Sequence, residues 1–333
     1  MPVVRLAPDQ PDPAVLRAAA DLLRSGRLVA FPTETVYGLG AHALDPAAVQ
    51  RIYDAKGRPS MNPIIVHVAS ADAARALASE WPAAAEKLAR QFWPGPLTLV
   101  VRKRAVVPDI VTAGTDTVGV RVPAHPVALA LLSVAGIPVA APSANLSTQL
   151  SPTTAQHVER GLGDRVDMIL DGGPTTVGIE STVVDVTGDK PRILRPGMLS
   201  AADIARYAGA VAERDAELVA EDAPRSPGLM GRHYAPRARV RLFRAGERAG
   251  AAAEAQAALV AGTRVGSMTF APFGANVTTH HVMPLEPAEY ARRLYSALHD
   301  LDDAQCEIVF LELPPDTPEW SAILDRIRRT TLA

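Results

Sequence analysis

Short apolar runs rich in valine, isoleucine and leucine, separated by alanine-rich helical stretches, are the feature that most narrows what this chain can become. Layered α/β architectures satisfy that alternation. Runs at 28–31, 64–68, 97–101, 118–122, 139–141, 182–186 and 192–194 read as strands. Asp12-Pro13 and Asp45-Pro46 each supply an N-cap and a first helical residue, which predicts helices ending near residues 24 and 55. Ser200 with Asp203 starts one more short helix. From 213 to 237 the chain is polar, contains prolines and loses its periodicity. Beyond it, strands at 240–243, 265–269 and 308–311 alternate with helices at about 249–261, 287–301 and 320–329. The expectation is an α/β domain of mixed sheet over 1–210, a linker over 211–237 and a small parallel α/β domain over 238–333.

Length agrees, because 333 residues exceed what one core usually organises. The longest apolar runs fall well short of the roughly 20 residues that span a bilayer, and the first 25 residues hold no basic stretch followed by an apolar one. A soluble, cytosolic protein with no membrane partner is expected. The single cysteine, Cys306, excludes an internal disulfide and a cysteine-based zinc site, and its apolar neighbours Ile308, Val309 and Phe310 mark it as packing. Residues 1–210 hold 20 Lys+Arg against 19 Asp+Glu, and residues 211–333 hold 14 against 17. Neither part carries the clustered cations that tight nonspecific nucleic-acid binding requires.

Several segments carry chemistry. Pro32 to Gly40 ends a strand with threonines, a glutamate and a tyrosine, at the kind of strand end where α/β sheets bind ligands. Its Gly38-Leu39-Gly40 is no dinucleotide fingerprint, since Ala43 stands where a third glycine would fall; it reads as a tight strand-to-helix connection. No Walker-type loop exists, and no Gly-x-Ser-x-Gly elbow supports a serine nucleophile. Lys56-Gly57-Arg58-Pro59-Ser60-Met61-Asn62 places two cations and an amide on one loop, as phosphate oxygens require and as a solvated basic turn would also show. His67 is the lone polar side chain of its strand, the usual pattern of a core histidine. In Thr117-Val118-Gly119-Val120-Arg121-Val122 the valines take one face and Thr117, Gly119 and Arg121 the other. An arginine beside a bare glycine points to a ligand anion; the alternative is an ion pair with Asp116 or Glu34. Ser143, Asn145 and Ser181 suit ligand contacts and ordinary caps equally. His42, His67, His125 and His157 are scattered, and His280-His281 are adjacent, so no metal-ligand spacing appears.

Taken together, Phe31 to Gly40, Lys56 to His67, Phe92-Trp93-Pro94-Gly95-Pro96-Leu97-Thr98, Thr117 to Pro123, Pro142-Ser143-Ala144-Asn145, Ser181 to Thr187 and Leu194-Arg195-Pro196-Gly197 closely resemble the threonylcarbamoyl-AMP synthases. Seven ordered motifs cover roughly residues 15–210, and Ser226-Pro227-Gly228 with His233-Tyr234-Ala235-Pro236 resembles the linker of the longer members, with a departure at Leu229-Met230-Gly231-Arg232. The resemblance implies a YrdC-like twisted mixed sheet with a concave active-site face, followed by a smaller Rossmann-like parallel C-terminal domain, with the linker folding over the active site. It implies that L-threonine, bicarbonate (or CO2) and ATP become L-threonylcarbamoyladenylate and pyrophosphate, which makes the chain a nucleotidyltransferase. A downstream tRNA threonylcarbamoyl transferase would use the product, with any direct tRNA contact weak.

Carried over residue by residue, the resemblance assigns Thr35, His67, Arg121 and Ser181 to L-threonine. It assigns Arg58, Asn62, Thr117, Ser143, Ser151, Arg195 and Tyr234 to ATP, and Lys56, Arg58 and Arg195, with Mg2+ carried by ATP, to charge neutralisation at the phosphates. No prosthetic group and no protein metal ligand is implied. Two rival readings have their own signatures. A YrdC-like module of hydrogenase cofactor assembly would carry zinc-binding cysteines, and an RNA-binding module would carry a strongly basic first domain.

Overall fold

The structure, a computed structural model, describes residues 2–59, 61–212 and 234–331. Ser60 and the expected linker motif from Ser226 to His233 lie outside the described residues. Two compact units result. The first runs to Ala212 apart from Thr148–Leu150 and Val177–Ile179, which belong with the second, as does the chain from Tyr234 onward.

The strands of the first unit are β1 (Val3–Arg5), β2 (Val29–Phe31), β3 (Gly38–His42), β4 (Val66–His67), β5 (Leu97–Arg102), β6 (Thr117–Arg121), β7 (Val139–Ala140), β8 (Met168–Asp171), β9 (Thr182–Asp185) and β10 (Arg192–Arg195). They form one mixed sheet in the order β1-β8-β2-β3-β7-β4-β6-β5-β9-β10. Its helices are α1 (Pro13–Arg24), α2 (Pro46–Lys56), α3 (Ala71–Arg75), α4 (Ala83–Phe92), α5 (Asp109–Thr112), α6 (Pro126–Ala135), α7 (Ala155–Leu162) and α8 (Ala201–Ala208). The start signals act as the sequence predicts. Asp12 accepts from the Ala14 amide at 2.7 Å and Asp45 from Ala47 at 2.9 Å, each with proline at the first helical position. Ser200 and Asp203 form a reciprocal capping box.

One expectation is corrected. Gly38 to Gly40 is not a strand-to-helix connection but the start of β3, which pairs antiparallel with β2 so that Val29 faces Gly40. The glycine answers to packing rather than to turning: a Cβ on Gly40 would stand 2.8 Å from the Phe31 ring and 2.9 Å from Val139 Cγ1. Strands β1 and β8, three and four residues long, are additions that the sequence does not announce.

The two sheet faces are covered unequally, and this creates the site. Leu39, Val66, Leu97, Leu99, Val118, Val120 and Val184 share one large core with apolar residues of α2, α4, α7 and α8. On the opposite face Val29, Phe31, Val139 and Leu170 pack under α1 and α6. That second layer serves β8, β2, β3 and β7. Across the other half of this face the buried apolar set shrinks to Ile65, Val100, Val183 and Leu194, and polar side chains fill the rest.

The second unit is a four-stranded parallel sheet, order β11-β14-β12-β13, built from β11 (Arg239–Phe243), β12 (Val265–Thr269), β13 (Thr279–Val282) and β14 (Ile308–Glu312). Helices α9 (Arg248–Val260), α10 (Pro287–Asp303) and α11 (Ser321–Arg329) complete it. The expected alternation gains β13, which carries His280 and His281. Cys306 is buried just before β14, and burial pushes its thiol pKa up, as suits a packing residue. Among the described residues no helix is long and apolar enough to cross a membrane.

Candidate active site

Side-chain alternation on β6 sends Val118 and Val120 into the large core and leaves Gly119 and Arg121 on the thinly covered face. Gly119 is half-buried, and a Cβ there would meet Thr98 Cγ2 at 3.3 Å and Ile65 Cγ1 at 3.5 Å. Its bareness therefore lets Thr98 and Ile65 close in beside the strand. Arg121 is registered with His67 on the adjacent parallel strand β4, so the two side chains rise side by side.

Three groups hold the Arg121 guanidinium. Nη1 donates to Thr35 Oγ1 at 3.0 Å, and Nε donates to the Gly95 carbonyl at 3.2 Å. Nη2 lies 2.7 Å from Glu34 Oε1, but its N–H directions miss that oxygen, and neither atom has a hydrogen-bond partner. The other Glu34 oxygen accepts from the Ala124 amide at 3.1 Å. Glu34 and Thr35 are presented by a tight loop after β2, in which Thr33 Oγ1 accepts from the amides of Thr35 and Val36 and donates to the Val36 carbonyl. His67 is buried, its Nδ1 has no partner, and burial together with Arg121 lowers its pKa to about 3. The imidazole is neutral at physiological pH. A buried cation with unused donors, a neutral histidine and a hydroxyl make a receptor for a small carboxylate.

A continuous row extends from there across the sheet. Thr98 on β5 shares a 2.8 Å hydrogen bond with Ser181, and Ser181 receives Arg195 of β10 through its carbonyl at 3.0 Å and its hydroxyl at 3.1 Å. Thr117, at the far end of β6, is buried, with its carbonyl accepting from Thr115 Oγ1. Ser151 donates to Glu180 at 2.5 Å.

A second cluster gathers where the C-terminus of α2 meets the loops before β4 and after β7. Lys56 is buried, and its ammonium donates to the carbonyls of Ser143 and Asn145. Burial, and then Arg58, push its pKa well down. The expected phosphate lysine thus holds the 143–145 loop through backbone oxygens. Arg58 binds its own loop, with Nε on the Asn62 carbonyl at 3.1 Å and Nη2 on that of Pro63 at 2.8 Å, and Tyr53 reinforces it from below. Asn62 is buried here and Ser143 half-buried.

Of the sequence-derived set, Thr35, His67 and Arg121 come together, Ser181 and Arg195 form the adjoining pair, and Lys56, Arg58, Asn62 and Ser143 form the second cluster. Tyr234 lies in the second unit, buried against Tyr295 and beneath the Arg326 guanidinium. The sequence assigns no role to Thr98 or Glu180, and it offers Glu34 only as an ion-pair partner. Glu34 sits between two threonines at a strand end, and this is the signal that could have placed it in the site.

A family profile of the Sua5–YciO–YrdC type, described as telomere recombination, matches residues 21–197, and one described as the threonylcarbamoyl-AMP synthase C-terminal domain matches 197–331. Together they define a class of two-part α/β proteins with a YrdC-type first part. A threonylcarbamoyl-AMP synthase of Pyrococcus abyssi is 42% identical over 95% of this chain and 94% of its own. The Bacillus subtilis relative of the same name is 41% identical over 96% and 93%. The crystal structure of P. abyssi Sua5 complexed with L-threonine matches with a TM-score of 0.90 and 39% identity, covering 99% of this chain and 98% of that one. The chain belongs to the threonylcarbamoyl-AMP synthase family.

Proposed function

We propose that this protein condenses L-threonine, bicarbonate or CO2, and ATP into L-threonylcarbamoyladenylate and pyrophosphate, and so acts as a nucleotidyltransferase. The observation that carries the reading is the Arg121 guanidinium, buried on the thinly covered sheet face with Nη2 donors left over beside His67 Nδ1. Glu34 balances its charge at 2.7 Å, and the N–H groups left over suit the carboxylate of a small amino acid. Thr35 and Ser181 complete the threonine contacts in this reading.

The chemistry needs no protein nucleophile. The threonine amine adds to CO2 and releases a proton, giving a carbamate. A carbamate oxygen then forms a bond to the α-phosphorus of ATP as the bond to the β-phosphate oxygen breaks, and pyrophosphate leaves with that electron pair. The protein's task is to align two anions and balance their charge. We assign Arg58 and Arg195 to the phosphates, with Lys56 shaping the loop that presents Ser143. Asn62, Thr117, Ser151 and Tyr234 complete the proposed ATP contacts. Among the described residues no three His, Cys, Asp or Glu side chains gather to hold a metal. The Mg2+ proposed here travels on the ATP phosphates, where it would neutralise charge on the leaving group. The product's consumer would be a transferase acting on tRNA in the cytosol.

Pyrophosphate release by the purified chain tests the proposal. It should require L-threonine and bicarbonate together, with other amino acids supporting far slower release. Equal release without either compound would sink it.

A further inference from the structure

The second unit contains a cavity of about 570 Å3 whose lining residues all belong to that unit. This volume is of the size that takes a small-molecule ligand. Its position follows from topology. Arg244 follows β11, Phe270 follows β12, and Glu312 ends β14, so the cavity opens at the carboxyl edge of a parallel sheet. The connection from β11 through α9 crosses β14 in one direction, and that from β13 through α10 returns across β12 in the other. Right-handed crossovers in opposite directions put α9 and α10 on opposite faces, and α11, which follows β14, packs with α10. The helices after β11 and β14 diverge, which is the switch-point geometry that opens a crevice for ligands.

The chemistry of the wall is specific. Glu312, 1% exposed, accepts from Arg248 Nη2 at 2.5 Å and from the Phe270 amide at 3.0 Å, which pins Arg248 at the first turn of the thirteen-residue α9. Arg248 Nε is buried without a hydrogen-bond partner. Arg244 makes no ion pair among the described residues. The same cavity is lined by Phe270 and Trp320, which meet edge to face at 5.9 Å, and by Leu285, which is 75% exposed. Arg244, unpaired among the described residues, and the remaining donor of Arg248, in one cavity with aromatic rings, suit a phosphate joined to a flat ring.

We propose that this crevice binds a small molecule of the mononucleotide class, with its phosphate on Arg244 and Arg248 and its ring against Phe270, Trp320 and Leu285. The site shares no residue with the ATP contacts assigned above.

The test uses the full chain labelled with 5-fluorotryptophan, which gives three 19F resonances for its three tryptophans, that of Trp320 being assigned by Trp320→Phe. AMP is the probe. It should shift the Trp320 resonance saturably, and Arg244→Glu should weaken that response at least tenfold while leaving the ligand-free resonance in place. Leu285→Ser, on an exposed residue, should weaken it about threefold and serves if Arg244→Glu fails to fold. Arg195→Ala, in the first unit, should leave it within twofold. A Trp320 resonance unmoved at 10 mM AMP overturns the proposal. So does a response matched by inorganic phosphate alone or by adenosine alone, or one unchanged in both Arg244→Glu and Leu285→Ser.

Discussion

Arg121 and Glu34 approach to 2.7 Å on the open face of the sheet without forming a hydrogen bond. The glutamate balances the charge of the arginine and leaves donors over. This reconciles the two readings the sequence allows: the pair exists, and the cation is still available to a ligand.

Arg121→Ala should raise the KM for L-threonine by roughly 10- to 100-fold, the loss of one charge-assisted contact of about 1.5–3 kcal/mol, while the KM for ATP stays within about threefold. Steady-state pyrophosphate release at varied threonine and varied ATP reads both. Equal rises in the two constants would give Arg121 a structural role only.

Glu34→Gln should act mainly on stability. Taking one partner from a buried ion pair typically costs about 3–5 kcal/mol, because the other charge is left behind. Urea unfolding is the measurement. A variant as stable as the parent would mean that the Arg121 charge is balanced elsewhere.

Lys56→Met separates holding a loop from touching a phosphate. Two buried carbonyls, of Ser143 and Asn145, lose their donor, at about 1–3 kcal/mol each. Both the melting temperature and the affinity for ATP should fall. Loss of activity at unchanged stability would assign Lys56 to the phosphates alone.

His67 makes the first unit acid-sensitive. Its folded pKa is about 3, against roughly 6.5 when unfolded, so between those values the unfolded chain binds the extra proton. Stability is therefore fully present above about pH 6.5 and is lost as pH falls toward 3. The stability difference between the parent and His67→Gln should be flat above about pH 6.5 and shift in favour of the variant as pH falls from there toward 3. Thermal melts at stepped pH would detect a parallel decline, which would exclude His67.

Chelation should abolish pyrophosphate release, and Mg2+ should restore it in proportion to the Mg–ATP complex. Calorimetry with Mg2+ alone should show no tight site on the described part of the chain, which lacks an acidic cluster. Submillimolar binding of the free ion would contradict this.

Much of the fold was legible because its signals are local. Asp12-Pro13, Asp45-Pro46 and Ser200 with Asp203 cap helices through contacts only a few residues long. The valine alternation of β6 assigned Arg121 to its face for the same reason. β3 was misread because Gly38 and Gly40, which look like turn residues, are set by the Phe31 ring across the hairpin and by Val139 about a hundred residues away. The Lys56 contact was invisible because it joins a side chain to backbone carbonyls some ninety residues on, and any residue type could supply those. The open face itself came from where α1 and α6 end their coverage, which no single segment encodes.

That uneven coverage separates what the fold needs from what the ligand sees. The apolar surface on the open half comes down to Ile65, Val100, Val183 and Leu194, while the main core lies on the far side of the same strands. Each strand can thus keep its inward residues fixed while its outward ones are exchanged. Exchanging Thr98 or Ser181, which lie outside that main cluster, would therefore vary what the face accepts without emptying the space around Val118, Val120 and Val184.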